Sequence, residues 1–116
     1  MRIVHNGQVI AEEATVAGTF CGRLTGLIGR RSLPHGSALM IPRCNQVHTF
    51  CMRFPIDVLF LNADNVILAV ESLRSWKISK RHPGASKVIE LPAGTISESG
   101  LAPGNQLSLS DRPSGP

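Results

Sequence analysis

Ile56-Asp57-Val58-Leu59-Phe60-Leu61 is the stretch on which the fold turns. A strand with one face in water alternates apolar and polar residues; this one is apolar on both faces except at Asp57. It therefore reads as a central strand covered on both sides. Pro55 separates it from Val47–Phe54, which reads as another extended segment. Asn62–Asn65 reads as a turn, and Val66–Val70, rich in branched residues, as the returning arm of a hairpin.

Working outward, Arg2–His5 and Gln8–Ile10 flank Asn6-Gly7, a dipeptide suited to the positive φ angles of a tight hairpin turn. Ala38–Ile41 is a short apolar strand closed by Pro42, Lys87–Leu91 another, and Asn105–Leu109 a final one. Thr19 is placed to cap a short helix with Phe20, Leu24, Leu27 and Ile28 at helical spacing, though Gly22, Gly26 and Gly29 weaken it. Thr95–Gly100 reads as one helical turn and Ser75–Gly84 as an exposed basic loop. The expected fold is mainly β, bordering on α+β: a compact small barrel or sandwich of short strands with one or two short helices. One domain is expected over residues 1–110, with a mobile tail at 111–116.

Composition narrows the function classes. The 116 residues are 42% hydrophobic and 17% charged, as in a folded globular chain. With four Phe, one Trp and no Tyr, the core has to be aliphatic. The net charge of +4 favours an anionic partner without any run dense enough to be a polybasic arm. Cys21, Cys44 and Cys51 form neither a disulfide framework nor a CxxC metal pair, so no metal site is assigned, and the cofactor is unknown. The opening MRIVHNGQVI lacks the apolar stretch of a signal peptide and no segment is long enough to span a bilayer, which together with reduced thiols points to the cytoplasm.

Three runs carry a family resemblance: Arg23-Leu24-Thr25-Gly26-Leu27-Ile28; Cys44 through Leu61, with His48-Thr49-Phe50, Met52-Arg53 and Pro55-Ile56-Asp57 inside it; and Val88-Ile89-Glu90-Leu91-Pro92-Ala93-Gly94. In these the chain resembles the DUF192 (UPF0127) family over nearly its whole length. It departs at Cys51, where the pattern commonly has Phe, and at Ile28-Gly29, where it commonly has Met-Phe. The resemblance implies a small β-rich fold and brings no established activity.

The candidate ligand-binding residues are His48, Thr49, Arg53, Asp57, Glu90 and Arg23. Were Val47–Phe54 extended, His48 would share a face with Phe50, Met52 and Phe54, as a general base, a metal ligand or a buried group hydrogen-bonded to backbone. Arg53 and Asp57 are spaced to pair across Pro55, or to leave Arg53 open for a carboxylate or phosphate. Glu90 interrupts an apolar strand and needs a partner if buried. Arg23 and Arg30 share a helix face, either solvated or lining an anion site. If His48, Asp57 and Glu90 met, they would form an acid/base or metal site.

Three readings follow. The first is a small binding or accessory module that recognises a small anionic ligand or a protein partner around His48, Thr49 and Arg53. The second is a hydrolytic enzyme using His48 with Asp57 or Glu90. The third and weakest is a nucleic-acid binder through Arg74–Lys87, a loop with only Trp76 to stack on a base.

Overall fold

The computed structural model describes residues 1–17, 33–50 and 52–110. Among these residues there are eight strands: β1 (Arg2–His5), β2 (Gln8–Ala11), β3 (Glu13–Val16), β4 (Ser37–Pro42), β5 (Ile56–Leu61), β6 (Ile67–Leu73), β7 (Lys87–Pro92) and β8 (Ser108–Ser110). A short helix, α1, spans Thr95–Ser99. The expected helix beginning at Thr19 and the tail at 111–116 lie outside the described residues.

All six residues of β5 are buried, as a strand apolar on both faces requires. It sits inside a five-stranded sheet of order β3-β4-β7-β5-β6, antiparallel except where β3 runs parallel to β4. Alternation along β5 sends Ile56, Val58 and Phe60 to one face and Asp57, Leu59 and Leu61 to the other. The β5–β6 turn is made by Asn62, whose Oδ1 accepts the amides of Asp64 (2.9 Å) and Val66 (3.0 Å).

Each face of this sheet has its own cover. The Leu59/Leu61 face packs with Ile3, Ile10 and Ala11 from a second, three-stranded sheet of order β2-β1-β8. Its hairpin pairs His5 with Gln8, and φ is +50° at Asn6 and +80° at Gly7, as the Asn-Gly signal demands. The Val58/Phe60 face is covered by Cys44, Val47, Met52 and Phe54. The molecule is thus mainly β, with two open sheets; among the described residues neither closes into a barrel.

Val47–Phe54 departs from the sequence expectation. It is not a strand: among the described residues its ladder pairing is an isolated antiparallel bridge between His48 and Ile78, and the Met52 amide turns back onto the Thr49 carbonyl (3.1 Å). Alternation therefore fails beyond Phe50. Val47 and Thr49 face inward, His48 and Phe50 outward, and beyond the turn Met52 and Phe54 return to the core.

Candidate functional site

The segment over the Val58/Phe60 face is sewn to the loop between β6 and β7. Ser79 donates its amide to the Val47 carbonyl (2.9 Å) and accepts the Val47 amide on its hydroxyl (3.0 Å). Thr49, at 0% exposure, donates its amide to the Lys77 carbonyl (2.8 Å) and its hydroxyl to the Arg74 carbonyl (2.6 Å). That hydroxyl also accepts the Lys77 amide (2.8 Å), and the Thr49 carbonyl accepts the Trp76 amide (3.0 Å). One buried residue thus closes the turn at 74–77. Farther along, the His82 ring meets a Glu71 carboxylate oxygen (2.8 Å) and lies against Phe60 (4.2 Å between centroids), holding the loop to β6.

This stitching builds a feature that no local pattern encodes. His48 stacks on Phe50 (4.8 Å, 27° between planes) and Phe50 on Trp76 (6.0 Å, 27°). Phe50 is 41% exposed, Trp76 63% and Ile78 59%, so the rings and an aliphatic neighbour form an outward apolar surface. Trp76 has φ +61°, a left-handed conformation that is a genuine outlier for a bulky residue. Residues 43–54 and 74–86 hold no Asp or Glu, and their six cations, Arg43, Arg53, Arg74, Lys77, Lys80 and Arg81, are all exposed.

The residues singled out in the sequence separate. Asp57 does not pair with Arg53. Its carboxylate, 2% exposed, accepts the Ser72 hydroxyl on Oδ1 (2.8 Å) and the Gly94 and Ile96 amides on Oδ2 (3.0 and 2.9 Å). It caps α1 from a neighbouring strand, since Gly94, with φ +95°, has no side chain to do so. Arg53 is exposed and makes no ion pair among the described residues. Glu90 is buried opposite Leu39 and Val58 and shares the face of Val88. Asp57 sits opposite Leu91, so the two carboxylates leave opposite faces of one sheet and cannot meet. A joint His48–Asp57–Glu90 site is not formed. Arg23 lies outside the described residues. Of the candidates, His48 and Thr49 belong to one structure, with Arg53 following in the same segment; Thr49 is its anchor, buried beneath the outward rings.

The DUF192 family model, described as "Uncharacterized ACR", matches residues 1–109. The chain belongs to the DUF192 family. A UPF0127 protein of Pyrococcus furiosus is 30% identical to this DUF192 chain over 108 residues, covering 90% of the chain and 92% of that protein. Another, from Pyrococcus abyssi, is 34% identical over 83 residues, 68% of the chain and 70% of its own length. A crystal structure of a protein of unknown function from Novosphingobium aromaticivorans superposes with a TM-score of 0.78 at 15% identity, covering 93% of this chain and 82% of its own. At that identity the likeness shows the DUF192 fold alone.

His48 tests whether the outward ring has a folding role. Its Nδ1 accepts the Phe50 amide at 3.2 Å, a local bond at the surface. In this DUF192 chain, His48→Ala is expected to lower the unfolding free energy by no more than about 1 kcal/mol in urea denaturation. A loss of roughly 2 kcal/mol or more would make the imidazole a structural group.

Proposed function

We propose that this chain is a binding module for an anionic partner and that its binding surface is the His48–Phe50–Trp76 stack with the surrounding cations. The observation that carries this reading is the stack itself, exposed and built from two segments that hold six exposed cations and no Asp or Glu. Folding alone gives no reason for it. Apolar rings left in water contribute little burial, and the left-handed backbone at Trp76 costs on the order of 1–3 kcal/mol. Strain of this kind, held in place by the buried Thr49 bonds, is characteristic of residues kept for engaging another molecule. The cations supply the sign of the partner, through long-range attraction and charge-assisted hydrogen bonds.

Trp76 is the chain's one tryptophan, so its fluorescence reports on this surface directly. Titration at low salt with polyphosphate, polyglutamate and a short single-stranded oligonucleotide is expected to change the emission with at least one of them. Phe50→Ala is expected to weaken that binding several-fold while the unfolding free energy stays within about 1 kcal/mol of wild type. If none of the three anions perturbs Trp76, the proposal fails.

A further inference from the structure

Resting on that reading, we propose that the anionic partner is single-stranded nucleic acid, with bases stacked on the His48–Phe50–Trp76 ladder and phosphates on the cations around it. The sequence offers one stacking residue in the basic loop; the fold brings two more rings to it from a segment 25 residues away. The rings stack at 27° to one another and leave open the π faces turned away from the stack. Such faces accept any nucleobase, because every base has a π face of its own. The rings already stack on one another at 4.8 and 6.0 Å, closer than twice the base spacing of roughly 3.4 Å that an inserted base would need, so bases extend the ladder at its ends and do not enter it.

The rings and the nearest cations lie close together along the two segments. Lys77 follows Trp76 directly, Arg74 precedes it by two residues, and Arg53 lies three residues beyond Phe50. All three are exposed, and none has an ion-pair partner among the described residues. A chain of phosphates can therefore reach the cations while its bases lie on the rings, the two interactions that sequence-tolerant single-strand binders combine. A duplex cannot bind in the same way, since its π faces are already stacked inside the helix. A polyanion without bases would meet the cations and leave the rings unused.

The deciding experiment compares four labelled probes by fluorescence anisotropy: a mixed-sequence single strand, an abasic strand with the same number of phosphates, the corresponding duplex, and polyglutamate. The base-bearing strand is expected to bind at least about 5-fold more tightly than the abasic strand and to quench Trp76. Phe50→Ala and Trp76→Ala should each lower its affinity by roughly 5- to 100-fold, with Trp76→Phe retaining most of it. Arg74→Gln and Lys77→Gln should weaken binding and flatten its salt dependence, by about 0.7 in slope for each phosphate no longer neutralised. Equal affinity for the abasic strand or for polyglutamate overturns the nucleic-acid assignment while leaving an anion-binding module. No binding of any probe overturns both.

Discussion

Asp57→Ala is expected to lower the unfolding free energy by about 3–5 kcal/mol. The carboxylate lies 2% exposed and holds three donors: the Ser72 hydroxyl and the Gly94 and Ile96 amides. Alanine removes the acceptor without removing the donors, so amides at the start of α1 are left without a partner. Ser72 is exposed and its hydroxyl can turn to water, which places most of the cost at Gly94 and Ile96. Asp57→Asn should cost less, about 1–2 kcal/mol, because an amide oxygen can still accept from the backbone. Urea denaturation of the three proteins measures this. If alanine and asparagine cost the same small amount, below about 1 kcal/mol, Asp57 is not the cap of α1.

Thr49→Val should cost about 2–3 kcal/mol and should also disturb the ring stack. Valine fills the same volume, so packing is nearly unchanged and the loss is the hydroxyl alone. That hydroxyl donates to Arg74 and accepts from Lys77. Without it, a half-buried amide and carbonyl lose their partner, and the turn that holds Trp76 against Phe50 opens to water in search of others. The expected signature is two-fold: a lower urea midpoint, and loss of the near-ultraviolet circular dichroism of the chain's single Trp. Thr49→Ser keeps the hydroxyl and should retain both. A Thr49→Val protein with wild-type stability and an intact Trp76 signal would show that the loop is held by the backbone bonds alone.

The contrast between Asp57 and Thr49 shows where sequence reading stops. Both are candidate ligand-binding residues in the sequence, yet each hydrogen-bonds to backbone groups of a distant segment. Arg53 is four residues from Asp57, close enough to suggest a pair, but β5 turns the carboxylate toward α1 and leaves the guanidinium in solvent. Spacing in sequence gives reach; it does not give direction. Glu90 makes the same point, since one step of register, opposite Val58 while Asp57 is opposite Leu91, decides which face it enters.

By itself the sequence determined the mainly β class, the family, the β1–β2 hairpin at Asn6-Gly7, the buried strand at Ile56–Leu61 and the turn after it. These are local: an Asn-Gly dipeptide selects its own backbone angles, and a strand with apolar residues on both faces has to be covered from both sides. Tertiary structure alone decided that Val47–Phe54 is no strand, that Asp57 and Glu90 lie on opposite faces, and that His48 and Phe50 join Trp76 on one surface. Each of these depends on hydrogen bonds between segments far apart in the chain. A buried threonine satisfied by a loop 25 residues away leaves no mark in the residues around it.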